Sequence, residues 1–155
     1  MSEQKEREYV RGSEQTQVSR ALLAWLNEYP DKPVSKIEFE FVPARGEGMT
    51  LSTVTAAYKT QSYISGRYQA QYQFAVVYRS QPTSSPQRLA AENVLNGLAA
   101  WIVQRTEEQK SFPVLGDGRS VLSIEQDVPA MLSARYADNS EDYQIIMTML
   151  YEVAP

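Results

Sequence analysis

The chain contains no cysteine and no histidine among its 155 residues. The lack of cysteine excludes disulfides, thiolate nucleophiles and cysteine-ligated zinc. The lack of histidine removes the commonest general base and the imidazole ligands that zinc, copper and iron favour. Carboxylates, hydroxyls and lysines are the catalytic groups that remain. We therefore expect no enzyme, and no metal or cofactor site.

Positive charge is also scarce, because 15 lysines and arginines stand against 19 aspartates and glutamates and the net charge is -4. Such a chain gains no overall attraction to a phosphate backbone, and no run of basic residues forms a local patch. We expect no direct recognition of nucleic acid. Residues 1–15 carry charges of both signs and no apolar core, so they predict neither a signal peptide nor a membrane span.

Apolar residues recur at helical spacing in two stretches. The first begins at Ser13, which can cap a helix, and ends before Pro30. The second runs from about Pro86 to Glu108 and has the strongest periodicity in the chain, which predicts a central packing helix with Leu98 on its buried face. Gly97 interrupts this helix and predicts the close approach of a neighbouring backbone, such as a strand.

Six other stretches alternate in polarity or are rich in β-forming residues, which predicts strands. Their bounds are 36–42, 51–63, 67–79, 120–128, 130–136 and 142–153. The Ser65-Gly66 pair predicts a hairpin turn, and Asp127-Val128-Pro129 predicts another turn. A proline and two glycines predict a loop over residues 43–50.

The order of these elements predicts the fold class. We expect an α+β fold with a mainly antiparallel sheet of about six strands and both helices on one face, in the order α-β-β-β-α-β-β-β. One domain would cover residues 13–155, after a mixed-charge leader of residues 1–12. The odd-numbered residues from Tyr143 to Val153 form an apolar row, which we assign to the core side of the last strand.

Three groups of residues raise the question of chemistry. Gly116-Asp117-Gly118 offers a single carboxylate and precedes a strand, so we interpret it as a turn and not as a calcium or phosphate loop. Glu38 and Glu40 share one face of a predicted strand, which alternation explains without catalysis. The acidic stretch 138–142 has oxygens of the kind that bind cations, but an acidic hairpin loop accounts for it. We assign no catalytic, metal-binding or cofactor-binding residue.

Four segments carry a resemblance to a known family: FAVVYRS, RLAAENVLNGLAAWI, PVLGDGRSVLSIE and RYADNSEDYQIIMTMLYE. In this order and spacing, over residues 68–153, they resemble the minor capsid or tail terminator proteins of tailed phages, often from phages and prophages of Gram-positive bacteria. Residues 1–60 match that family only in their coarse pattern of helix and strands.

The resemblance implies a structural protein of the virion that does not catalyse a reaction. It implies a ring of six subunits at the head-proximal end of the tail tube, which stops tube polymerisation and offers a docking surface to the head. The partners would be further copies of the chain, the tail tube protein and a head-tail connector protein. The protein would act at the head-tail junction after its synthesis in the bacterial host cytoplasm.

Two alternative functions stay open. A head completion or connector component of the same virion would bind the portal side and could form rings of twelve. A host α+β module would bind a small ligand or a partner between its sheet and helices.

A closed ring requires one patch of each subunit to meet a different patch of the next. We predict two surfaces for these contacts. The first is the outer part of the hairpin, with Tyr63, Arg67, Tyr68 and Tyr72. The second is the loop before it, with Arg45 and Glu47.

Overall fold

The fold was determined as a computed structural model that describes residues 6–41, 43 and 46–155. One six-stranded sheet carries two helices, which confirms the predicted α+β class. The strands are β1 (Glu8–Tyr9), β2 (Glu38–Phe39), β3 (Gly48–Ser62), β4 (Tyr68–Ser80), β5 (Arg119–Arg135) and β6 (Glu141–Val153). The helices are α1 (Gly12–Leu26) and α2 (Ser85–Val103), and α2 continues into a π-helical turn, Gln104–Glu108.

The strands lie in the order β1-β3-β4-β6-β5 across the sheet. Neighbours along this path are antiparallel, whereas the short β2 pairs in parallel with β3 beside the main path. Two hairpins, β3–β4 and β5–β6, are therefore joined through the central β4–β6 pair. The α2 helix connects the two hairpins along the chain.

The core lies on one face of the sheet, between the strands and both helices. The odd-numbered residues of β6 from Tyr143 to Val153 are all buried, as predicted, and so are the alternate residues of β4 from Ala70 to Tyr78. Leu98 is also fully buried on α2, which confirms the predicted packing face of that helix. On α1, the hydroxyl of Ser19 donates a hydrogen bond to that of Tyr72 (3.0 Å), so α1 packs on the same face.

The two helices begin differently. Ser84 caps α2, because its hydroxyl accepts a hydrogen bond from the amide of Gln87 (3.3 Å), and a proline follows in the first turn. The predicted cap of α1 is wrong: Arg11 occupies the cap position without a side-chain hydrogen bond, and Ser13 lies inside the first turn. The helix gains its stability from packing instead of from a cap.

The predicted turn at Asp127-Val128-Pro129 is wrong, because β5 continues through it as one strand. β5 has 17 residues against 13 in β6, and four register shifts absorb the difference. Pro129 lies within one of these irregular stretches, between Val128 and Met131. Proline is tolerated there because β5 is an edge strand, where a missing N–H leaves no partner unpaired.

The predicted strand 36–42 shortens to the two residues of β2. Ile37 is buried, but Phe39 and Phe41 are 40% and 59% exposed, so these three residues do not share one buried face as their alternation predicts. The reason is Glu40, whose φ of 52° breaks the extended backbone. Its carboxylate accepts a hydrogen bond from the amide of Thr53 (2.6 Å), which gives this glutamate a structural partner.

Two short segments, Glu8–Tyr9 and Gly116-Asp117-Gly118, adjoin the sheet. Glu8–Tyr9, within the predicted leader, pairs with Tyr58 and Lys59 of β3, and so the domain begins before residue 13. Gly116-Asp117-Gly118 forms the predicted turn: Asp117 and Gly118 both have positive φ, and the amide of Arg119 donates to the carbonyl of Gly116 (3.0 Å).

Gly97 is explained by a side chain and not by the predicted neighbouring backbone. A Cβ at this position would lie 2.9 Å from the hydroxyl oxygen of Tyr29. Tyr29 belongs to an aromatic cluster between the helices, in which Trp101 lies 5.4 Å from the Tyr29 ring and 4.9 Å from the Trp25 ring. Glycine therefore makes room for the tyrosine hydroxyl at the contact between α1 and α2.

We predict that the effect of Gly97→Ala on the free energy of unfolding depends on whether position 29 carries a hydroxyl. In the Tyr29→Phe background the hydroxyl is gone, so alanine should stabilise the protein by about 1 kcal/mol through helix propensity. In the wild-type background the close contact between the alanine Cβ and the Tyr29 hydroxyl should cancel or reverse that gain. Chemical denaturation of the four proteins measures the coupling, and equal effects of Gly97→Ala in both backgrounds would show that the hydroxyl does not require glycine.

Candidate interaction surfaces

The turn between β3 and β4 forms a fixed, exposed tip. The amide of Tyr63 donates to the carbonyl of Arg67 (2.8 Å), and Gly66 adopts a φ of 92° within the turn. The guanidinium of Arg67 lies 4.2 Å from the centre of the Tyr63 ring and 3.1 Å from the carboxylate of Glu152. Ile64 stands at the tip with its side chain fully exposed. The turn therefore presents one large apolar side chain outward.

Two of the predicted contact residues on this hairpin point into the protein. Tyr72 is fully buried, and its hydroxyl makes hydrogen bonds with those of Ser19 (3.0 Å) and Thr53 (2.7 Å). Its prediction as a surface contact is wrong, because the alternation of β4 turns this position toward α1. Tyr68 is half-buried, and its hydroxyl donates to the carboxylate of Glu14.

Glu14 is a buried carboxylate in the first turn of α1, directly below the hairpin. Tyr68 donates a hydrogen bond to it, and Tyr151 donates a second (2.7 Å). The Nε atom of Arg119 lies 3.9 Å from the same carboxylate, while its Nη1 donates to Gln17 (2.6 Å). These contacts offset the cost of burying a negative charge, and they tie α1 to β4, β5 and β6.

The two phenols keep their protons because of this environment. Burial raises the pKa of Tyr68 to about 12, and the hydrogen bond to Glu14 acts in the same direction. Burial and the same acceptor also raise the pKa of Tyr151. Both groups therefore remain hydrogen-bond donors over the whole physiological pH range.

The second predicted surface, the loop before β3, is described in part. Arg45 lies outside the described residues. Glu47 is exposed, but its carboxylate accepts a hydrogen bond from the hydroxyl of Tyr78. Burial raises the pKa of Tyr78, and Glu47 adds to the effect. Glu47 is therefore attached to the sheet through a partner in its own chain.

At the other end of β6, arginines neutralise two buried carboxylates of the predicted acidic loop. Asp142 accepts two hydrogen bonds from Arg79, one from Nε (2.7 Å) and one from Nη2 (2.9 Å). Glu141 accepts hydrogen bonds from the Nε atoms of Arg88 (3.1 Å) and Arg135 (3.3 Å). No local pattern in the sequence predicts these pairs, because the arginines come from β4, α2 and β5.

The face of the sheet opposite the helices carries a row of polar side chains across four strands. The carboxylate of Asp127 accepts hydrogen bonds from Thr148 and from Gln73 (3.1 Å), and Gln73 in turn accepts one from Thr55 (3.3 Å). Beside this row, Ile146 lies across from Ala75. This face is therefore mixed in polarity, with the polar row linking β5, β6, β4 and β3.

Every resolved pKa shift among the described residues moves its group away from neutrality. The tyrosines and Arg79 are shifted upward. Hydrogen bonds from Ser140 lower the pKa of Asp138. Burial opposes ionisation of Glu141, but hydrogen bonds from Tyr143 and Arg88 outweigh it, and the net pKa is lowered. None of these shifts brings a pKa closer to neutral pH, where a general acid or base works best.

No protein-family model matches the chain, and no curated protein matches it. In the part of the chain that the structure describes, acidic residues do not gather in groups of three or more that could hold a metal ion. Over the same residues, neither helix has the length and apolar character needed to cross a bilayer.

We predict that alkaline pH destabilises the protein partly through Tyr68. A tyrosine in the unfolded chain ionises near pH 10, whereas Tyr68 in the folded protein keeps its proton up to about pH 12. Its contribution to stability is therefore fully present below pH 10 and is lost as the pH rises to about 12. In the Tyr68→Phe variant, the free energy of unfolding should fall less steeply over this interval.

Tyr63→Phe, on the same hairpin, is the control and should keep the wild-type slope. Urea denaturation at several pH values between 9 and 12 measures the three slopes. Identical slopes for Tyr68→Phe and the wild type would contradict this assignment.

Proposed function

We propose that the chain is a structural protein of a tailed phage or prophage, which caps the tail tube as a six-subunit ring, ends tail polymerisation and provides the docking surface for the head. The observation that carries this proposal is the resemblance of four ordered segments to the tail terminator and minor capsid family. These segments correspond to the end of β4, most of α2, the start of β5 and nearly all of β6. They form one contiguous half of the sheet with its central helix.

A ring needs two unlike contact surfaces on each subunit. The hairpin tip with Ile64 is one candidate. The other is the flank formed by β5, an edge strand with three exposed apolar side chains: Leu122, Met131 and Leu132. Pro129 and the register shifts make β5 a poor template for backbone pairing, so we expect side-chain contacts there.

The electrostatics support a role without catalysis. The resolved pKa shifts favour the ionisation state that each group already has at neutral pH. The buried carboxylates Glu14 and Glu141 are occupied by tyrosine and arginine donors from several elements. Such groups hold a scaffold together, which is what a ring subunit under load from the head and the tail requires.

We predict that the purified protein forms six-fold rings on tail tubes assembled from the major tail protein of the same virion, and that tubes stop growing when it is added. Negative-stain electron microscopy measures the symmetry and the tube lengths. A protein that stays monomeric and never binds the tube would contradict the proposal. Twelve-fold rings bound to the portal side would contradict it in favour of a head-side connector.

A matched pair of variants tests the hairpin tip. Ile64→Asp should reduce ring formation, because it places a charge at the proposed subunit contact. Val114→Asp, at another exposed apolar residue, in the connection before β5, should leave ring formation unchanged. Light scattering of both variants with unaltered melting temperatures separates loss of assembly from loss of folding.

A further inference from the structure

An open pocket of about 500 Å³ lies at the end of β6 that is remote from the hairpin tip. Its lining comes from the segment before α2, from α2 itself, from the end of β5, from the β5–β6 turn and from the start of β6. The residues are Pro82, Thr83, Arg88, Arg135, Asn139 and Glu141. Arg88 comes from the first turns of α2 and Arg135 from the last residue of β5. Two guanidinium groups from different elements therefore meet at one pocket.

A buried carboxylate holds the two guanidinium groups in place. Glu141 accepts hydrogen bonds from Nε of Arg88 at 3.1 Å and from Nε of Arg135 at 3.3 Å. Its side chain is 3% exposed, whereas those of Arg88 and Arg135 are 40% and 60% exposed. The hydroxyl of Tyr143 donates to the same carboxylate at 2.9 Å. Glu141 is thus the fixed anchor, and the outer parts of both arginines face solvent.

The remaining donors of the two arginines point to an acceptor from outside the chain. A guanidinium has five N–H donors, and here only Nε of each arginine is used toward Glu141. Within the described residues, the Nη groups of Arg88 and Arg135 make no hydrogen bond. The lining of the pocket thus carries two positive charges and one buried negative charge.

Two acidic residues near the pocket, Asp138 and Asp142, are not among the residues that line it. Asp142 is paired with Arg79 through two hydrogen bonds. Asp138 turns its carboxylate to the amide of Ser140 (3.0 Å) and to the Ser140 hydroxyl. Asn139, at the rim, contributes an uncharged side chain. The charged residues that line the pocket are Arg88, Arg135 and Glu141.

We propose that this pocket binds an oxyanion, a carboxylate or a phosphate group, between the guanidinium groups of Arg88 and Arg135. Planar guanidinium groups recognise both kinds of oxyanion through paired N–H donors. The volume exceeds that of a single small ion, so the oxyanion can be carried by a longer side chain or an organic molecule. The site does not depend on the phage assignment, because it follows from the geometry of these three residues alone.

Isothermal titration calorimetry at constant ionic strength tests the site with two probes, inorganic phosphate and glutarate. We expect saturable binding with one site per chain for at least one of them. The probe that binds more tightly identifies the source of the oxyanion as a phosphate or a carboxylate. An absence of saturable binding for both probes would overturn the proposal.

Variants assign the binding to the two arginines. Arg135→Gln keeps the buried pair of Glu141 with Arg88, so the fold should be retained, and binding should weaken about tenfold or more. Arg67→Gln is the matched control, since Arg67 has 45% side-chain exposure and pairs with Glu152 at the far end of β6. Its affinity should equal that of the wild type. Equal affinity in Arg135→Gln and the wild type would overturn the proposal.

Arg88→Gln provides a second measurement. This change removes the closer of the two arginines that pair with a buried carboxylate, so the fold of the variant is first checked by circular dichroism. If the variant is folded, its binding should weaken at least as much as that of Arg135→Gln. If it is not folded, the comparison of Arg135→Gln with Arg67→Gln decides.

Discussion

The uninterrupted pairing of β4 with β6 is the contact on which the rest of the structure depends. All 13 residues of each strand pair in antiparallel register, from Tyr68 opposite Val153 to Ser80 opposite Glu141, without a bulge. The inward side chains of both strands form the floor under α1 and α2. β3 and β5 join this pair on its two sides with three and four register shifts, respectively, so the irregular parts of the sheet lie outside its centre.

Tyrosine hydroxyls allow carboxylates to be buried beside this central pair. Five of the ten tyrosines donate a hydrogen bond to a carboxylate: Tyr68, Tyr78, Tyr136, Tyr143 and Tyr151. Burying an ionised carboxylate costs several kcal/mol unless hydrogen bonds and opposite charges compensate. Glu14 and Glu141, at opposite ends of the central pair, are compensated in this way. Half of the tyrosines thus have a structural role in binding a carboxylate.

Regular periodicity predicted the central strands and helix well. Single residues with unusual backbone conformation, and side-chain pairs between distant parts of the chain, could not be predicted from the sequence. The alternation of β4 and β6 and the helical spacing around Leu98 each reflect burial on one face, which a local pattern records. Glu40 ends β2 through a single positive φ, and Pro129 fits within β5 because β5 is an edge strand. The pattern of apolar and polar residues records neither of these features. For the candidate sites, the Ser65-Gly66 turn located the hairpin tip. The partners of Glu14 and Glu141 required the fold, because they come from elements far apart in the chain.

Amide hydrogen exchange tests the central role of the β4–β6 pair most directly, since it reports the free energy needed to open each hydrogen bond. We predict that the amides of residues 70–78 and 143–151 exchange slowest, at rates set by global unfolding. β5 is the internal comparison, because it lies in the same sheet but has an open edge and four register shifts, and residues 126–131 should exchange faster. Exchange in β5 as slow as in β4 and β6, or protection of α2 that outlasts theirs, would contradict the account.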